Sequence, residues 1–167
     1  PQMLIVMGVS GSGKTEIGKR LASALNWQFF DADDFHSPEN IQKMQQSIPL
    51  TDADREEWLQ TLQDLIRDQL KAHCSSVLAC SALKQSYRDQ LNLGSEVEFV
   101  YLKGSYELIL HRLKSRTDHY MPSDLLDSQF DGLEEPSQAL EIDASQSPDC
   151  IIQTIQDRLF DSSPKEA

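Results

Sequence analysis

A chain of 167 residues, 39% hydrophobic and 25% charged, has the composition of a globular protein with one sizeable core, not of a disordered chain. Its formal net charge is −12, from 15 Lys plus Arg against 27 Asp plus Glu, which argues against non-specific attachment to nucleic acid or to an anionic membrane. No apolar run approaches the ~18 residues that span a bilayer, and the apolar start at 3–7 is too short for a signal-peptide core, so the expected location is cytoplasmic.

Met3-Leu4-Ile5-Val6-Met7 is a continuous apolar run closed by Gly8, as expected of a strand buried on both faces of a parallel sheet. From Lys14 the period changes. Ile17, Leu21 and Leu25 recur every four residues and predict a helix over about 13–24. Residues 28–31 read as a second strand, and Pro38 opens a short helix through Met44. After Pro49, Thr51 or Asp52 caps a helix with Trp58, Leu59, Leu62, Leu65, Ile66 and Leu70 on one stripe. A third strand at 77–80 leads to a helix over 84–91. A fourth strand at 97–102 leads to a helix over about 106–114. Residues 116–122 read as a polar loop, 125–130 as a short helix and 139–144 as a fifth strand. Pro148 opens a last helix with Ile151, Ile152, Ile155 and Leu159 inward, and 162–167 read as a frayed tail. Alternating strands and helices predict an α/β fold: a three-layer, five-stranded parallel sheet flanked by helices, in a single domain over 1–167.

Gly8-Val9-Ser10-Gly11-Ser12-Gly13-Lys14-Thr15 matches the phosphate-loop pattern G-x-x-x-x-G-K-[ST] in full. Its glycines let the backbone turn tightly and bring N–H groups onto phosphate oxygens, and the following helix adds its positive end. In this pattern Lys14 reaches the β- and γ-phosphates and the Thr15 hydroxyl ligates Mg²⁺. An apolar strand before the motif and an amphipathic helix after it are the context it requires. ATP with Mg²⁺ is the expected cofactor.

The regulatory GTPase motifs D-x-x-G and N-K-x-D are absent from the chain. A small-metabolite kinase remains, with its acceptor at the C-terminal end of the sheet and a lid over about 116–130 to exclude water. An ATP-binding module without transfer activity is the alternative from another class. In Asp31-Ala32-Asp33-Asp34-Phe35-His36, continued extension would aim Asp31 and Asp33 to one face. One carboxylate would serve the Mg²⁺ site with Thr15. The other, Asp33, would align the acceptor hydroxyl and take its proton, unless the stretch is only a solvated acidic loop. Any anionic ligand needs local cations, of which Lys14, Arg55, Lys84, Arg88, Arg112 and Arg116 are the main candidates. Arg55, at a helix start, pairs either with a substrate carboxylate or with Asp52 or Asp54. Arg112 and Arg116 suit phosphate oxygens or a planar base, or else complement a helix C-terminus. His73 and His111 read as surface residues. Cys74, Cys80 and Cys150 read as buried free thiols, and no His/Cys spacing suits zinc.

Further segments lie in order along the chain: Pro49-Leu50-Thr51-Asp52-Ala53-Asp54-Arg55 with Trp58-Leu59, Cys80-Ser81-Ala82-Leu83-Lys84 with Tyr87-Arg88-Asp89, and Phe99 to Gly104. They end with His119-Tyr120-Met121-Pro122, Ser128-Gln129-Phe130 and Leu133-Glu134-Glu135-Pro136. With the phosphate loop and the 31–36 acidic stretch, these resemble the bacterial-type gluconokinases, relatives of shikimate kinase. The resemblance implies a P-loop kinase fold with a mobile lid and phosphorylation of D-gluconate at its 6-hydroxyl by ATP. It implies Asp33 at the acceptor hydroxyl, and His36, Arg55 and Lys84 near the sugar acid. Arg116 would reach phosphates from the lid and Arg112 would lie near the adenine. A homodimer is a family-level expectation. Shikimate kinases carry a glycine run where this chain has Cys80-Ser81-Ala82.

Overall fold

Strand β1 (Met3–Met7) is inaccessible along its whole length. Burying each such side chain is worth ~1.5–3 kcal/mol over leaving it exposed, so β1 anchors the sheet and the loop that follows it. The computed structural model describes residues 2–115 and 123–160. Of the sequence-based expectations, Arg116, the 116–122 part of the lid and the 162–167 tail lie outside the described residues. After β1 come α1 (Lys14–Leu25), β2 (Gln28–Asp31), a 3₁₀ turn (Ala32–Phe35), α2 (Pro38–Gln45) and α3 (Asp52–Lys71). Then follow β3 (Ser76–Ala79), α4 (Gln85–Leu91), β4 (Val97–Lys103), α5 (Tyr106–Ser115), α6 (Ser123–Gly132), β5 (Leu140–Asp143) and α7 (Pro148–Phe160).

The strands form one parallel sheet in the order β2-β3-β1-β4-β5. Side chains alternate across it, as strand geometry requires. Met3, Ile5 and Met7 pack with Leu78 against Trp58, Leu59, Leu62 and Ile66 of α3 and Leu91 of α4. Leu4 and Val6 pack with Val100 and Ile142 against Ile17 and Leu21 of α1 and Ile151 and Ile155 of α7. A third cluster joins Val9 of the phosphate loop to Ile109 and Leu113 of α5 and Leu126 of α6.

The elements predicted from sequence are present, with ends moved by one or two residues. The local correction falls after β2. The chain does not stay extended from Asp31 to Asp33; it turns into the 3₁₀ helix at Ala32, and the Asp31 carboxylate caps that turn by accepting from Asp33 N–H at 3.0 Å. Trp58 of α3 holds the turn from below, its indole N–H donating to Ala32 O at 2.7 Å. At α3 the cap is Thr51, not Asp52: Thr51 Oγ1 accepts from Asp54 N–H, and Asp54 Oδ2 accepts from Thr51 N–H. Of the three free cysteines only Cys80 is buried, and burial pushes its thiol up to about 12. His73 and His111 are exposed as expected.

Candidate active site

The C-terminal ends of β1, β2 and β3 meet the start of α1, the crevice where parallel α/β sheets hold ligands. Two backbone positions explain why residues 8–15 form a cradle there. Gly8, at φ +153, packs so closely that a Cβ would stand 2.7 Å from Ser12 Oγ and 3.0 Å from Leu102 O. Gly13 is the N-cap of α1 at φ +100, a left-handed conformation that costs glycine nothing. A Cβ there would meet nothing nearer than Ile17, at 3.9 Å, so the space it leaves is open. Ser12 Oγ is buried without a hydrogen-bond partner among the described residues, a polar group awaiting an acceptor or donor. Lys14 Nζ folds back over the loop and donates to Val9 O at 3.4 Å.

Thr15 Oγ1 donates to Asp31 Oδ2 at 2.9 Å. This places a hydroxyl and a carboxylate, the hard oxygen donors Mg²⁺ prefers, at the mouth of the cradle. Open glycine space, the positive N-terminal end of α1 and this donor pair fit a Mg²⁺-bound polyphosphate. Asp33 lies alongside. The residue is exposed, yet the packing around its carboxylate raises its pKa; the Lys14 charge opposes the rise, and Asp31 and Asp34 add to it.

Across the crevice a cavity of about 260 Å³ is lined by Leu50, Arg55, Leu83, Lys84, Tyr87 and Gln129, with Ser81 and Ser128. Its cations are tied to one carboxylate. Lys84 Nζ donates to Asp52 Oδ1 at 2.8 Å, the Tyr87 hydroxyl donates to the same oxygen, and Arg55 Nη1 lies 3.9 Å from it. The bonds from Lys84 and Tyr87 hold Asp52 below the usual carboxylate range. Arg55 thus pairs with Asp52, while Asp54 pairs with Lys43 at 2.8 Å. His36 is buried and stacked on Trp58, with ring centroids 4.4 Å apart. Burial, then the nearby Arg55 charge, lowers its pKa to about 4, so its imidazole is neutral near pH 7.

Two of the candidate cations have other partners. Arg88 is corrected from ligand candidate to structural clamp: it is buried and donates to Ala82 O at 2.7 Å, Leu83 O at 3.1 Å and Glu134 O at 2.6 Å. Arg112 donates to Ser12 O at 3.4 Å and to Ala144 O, tying the phosphate loop to the chain after β5.

Comparison with known proteins extends this geometry. The family model for shikimate kinase matches residues 10–159. The gluconokinase of Gluconobacter oxydans is 42% identical, over 93% of this chain and 89% of its own. The thermosensitive gluconokinase of Escherichia coli is 49% identical, over 81% of this chain and 73% of its own. The chain belongs to the gluconokinase family. A crystal structure of a gluconokinase from Sinorhizobium meliloti superposes with a TM-score of 0.82 at 38% identity, covering 98% of both chains.

Sequence reasoning about this gluconokinase-family site passed over three groups. Asp52 was read as a cap candidate and a possible partner of Arg55, but not as the shared acceptor of Lys84 and Tyr87. Tyr87 appeared only within a motif, as did Gln129, whose partner lies 119 residues away in the phosphate loop. Such long-range pairing leaves no mark in local pattern.

Proposed function

We propose that the protein transfers the γ-phosphoryl group of ATP to the 6-hydroxyl of D-gluconate, giving 6-phospho-D-gluconate and ADP. The observation that carries this reading is the pairing of a phosphate cradle with a cation-lined cavity of about 260 Å³, with Asp33 beside the cradle, close enough to feel the Lys14 charge. A six-carbon polyol with one carboxylate suits such a cavity better than a planar or apolar acceptor. Family membership supports the choice of sugar acid.

Each site residue has a role in this reading. The loop of Gly8, Val9, Ser10, Gly11, Ser12 and Gly13, with the start of α1, wraps the phosphates through those backbone N–H groups that its bonds to Ser81, Gln129 and Val9 do not take. Lys14 neutralises charge that builds on the γ-phosphoryl oxygens as the bond to ADP loosens. Thr15 and Asp31 hold Mg²⁺, which when bound screens the phosphates. Asp33 accepts a hydrogen bond from the acceptor hydroxyl, aims its oxygen at the phosphorus and receives its proton as transfer completes. Arg55 and Lys84 exchange Asp52 for the gluconate carboxylate, and neutral His36 hydrogen-bonds a substrate hydroxyl. Arg116 serves phosphates from the proposed lid, and Arg112 flanks the adenine.

The test is ADP release by purified protein with Mg-ATP and, separately, D-gluconate, shikimate or no acceptor. Release with gluconate should exceed the others by orders of magnitude. Equal release in all three overturns the reading.

A further inference from the structure

Gln129 of α6 makes a two-point clasp on the phosphate loop. Its Oε1 accepts from Ser10 N–H at 2.6 Å, and its Nε2 donates to Ser10 Oγ at 2.8 Å. The same side chain lines the acceptor cavity, as do Ser128 and Gly132 of α6. One helical turn further on, the chain is fastened to the other side of the site. Glu134 N–H donates to Leu83 O at 2.8 Å, Glu134 Oε1 accepts from Gln85 N–H at 3.2 Å, and Arg88 donates to Glu134 O. Leu83 and Gln85 flank Lys84. The segment 129–134 therefore braces the phosphate loop at one end and the Lys84 loop at the other. A direct link exists as well, Gly8 N–H to Ser81 O, but at 3.4 Å it is long.

We infer that Gln129 is a positioning residue that sets the acceptor cavity in register with the phosphate loop and so couples nucleotide binding to acceptor binding. Phosphoryl transfer needs its attacking oxygen within ~3–3.5 Å of phosphorus and in line, and a displacement near 1 Å costs on the order of 100-fold. The two halves of this site are carried by different loops, so a connection of fixed length between them is required. A carboxamide suits this better than a charged group. It offers an acceptor to the amide and a donor to the hydroxyl at once, and it brings no charge close to a polyphosphate. Ser10 is also the phosphate-loop residue whose N–H faces a side chain of α6, so ordering of the loop by nucleotide is felt directly at the cavity wall.

The inference rests on the proposed kinase activity, and its test separates the two. D-gluconate affinity is measured by titration calorimetry on the full chain, with and without a non-hydrolysable ATP analogue and Mg²⁺. In the wild type the analogue should tighten gluconate at least about fivefold, the lower end of ordinary coupling, and gluconate should tighten the analogue equally. In Gln129→Leu, which lacks both polar groups, and Gln129→Asn, which falls one methylene short, the ratio should drop to about one. A lowered Tm with the wild-type ratio in both variants would show a merely structural residue and overturn the inference. Hydrogen exchange of residues 126–132 gives a readout that needs no acceptor: the analogue alone should slow exchange there in the wild type and not in the variants. Unchanged exchange in the wild type overturns the inference. A wild type that binds another sugar acid but not gluconate overturns the choice of substrate, and the same titration with that acid then decides the role of Gln129.

Discussion

Lys84 Nζ, on the wall of the 260 Å³ cavity, stands 2.8 Å from Asp52 Oδ1, joining the start of α4 to the first turn of α3. The pair is solvent-exposed, so it adds little to stability. Its meaning lies in what it does to the cavity. An internal carboxylate occupies the donors that a sugar acid would use. Lys84→Met should raise the KM for D-gluconate about 10- to 100-fold, a charge-assisted contact being worth ~1.5–3 kcal/mol, and leave the KM for ATP within about twofold. Preference for gluconate over the neutral polyol D-glucitol should fall by the same factor. Steady-state kinetics with both acceptors checks this; an unchanged gluconate KM removes Lys84 from the acceptor site.

Thr15 and Asp31 converge on each other, and their pairing predicts a metal defect in either variant. Thr15→Ala and Asp31→Asn should each shift the Mg²⁺ concentration for half-maximal activity upward by about tenfold or more, since one ligand contact is removed in each. Thermal stability should barely change, because the bond they share is exposed. A Mg²⁺ titration of initial rate at saturating ATP is the measurement. If both variants titrate as the wild type does, the metal lies elsewhere.

The raised pKa of Asp33 carries two consequences of opposite sign. Packing around the carboxylate disfavours its charged form, so ionised Asp33 costs the fold stability at neutral pH, and that cost fades as pH falls through its folded pKa. Asp33→Asn should therefore fold at least as well as the wild type in a thermal melt. The same substitution should lower kcat by about 10²-fold or more, the usual scale for a lost catalytic base, with ATP affinity nearly intact. In the wild type, the acidic limb of kcat/KM should lie above the ordinary Asp value of 3.8. A variant that keeps full turnover removes Asp33 from the chemistry.

The sheet was legible because its signals are local. β1 is buried on both faces and so reads as unbroken apolar sequence, and α3 declares itself by a stripe of apolar residues. The phosphate loop was legible because each of its glycines answers a backbone need. The 31–36 stretch was misread for a physical reason: nothing in Asp-Ala-Asp-Asp-Phe tells an extended chain from a 3₁₀ turn, and the indole bond from Trp58 to Ala32 O that favours the turn comes from 26 residues away. Arg88 was misread likewise. It was named as one of the few local cations an anion could use, and nothing local in the chain shows that its guanidinium is spent on three backbone carbonyls.

His36 predicts how stability responds to acid. Its pKa falls from 6.5 to about 4 on folding, so the unfolded chain binds the extra proton between those values. Stability is full above pH 6.5 and is lost as pH drops toward 4, by up to ~3 kcal/mol for a buried imidazole. His36→Phe, which keeps a ring to stack on Trp58, should flatten the Tm profile between pH 7 and 4.5. Melts of both proteins across that range decide the matter. Parallel profiles would mean that other groups govern the acid limb.

Arg88 offers the clearest separation of fold from chemistry. Ala82 is buried with φ at +46, a left-handed conformation that alanine adopts only at a cost. The Arg88 guanidinium reaches the carbonyl of that residue, the next one and Glu134, holding the turn that aims Lys84 into the cavity. Arg88→Met keeps much of the buried stem but leaves those carbonyls unsatisfied, at ~1–3 kcal/mol for each that water cannot reach. A loss of about 2–4 kcal/mol in urea unfolding is expected. The turn at 82–84 should then relax, moving Lys84 and raising the gluconate KM, while the phosphate loop, braced by its own glycines, keeps its ATP affinity. If ATP and gluconate affinities fell together, Arg88 would be supporting the whole sheet edge instead of the Lys84 turn.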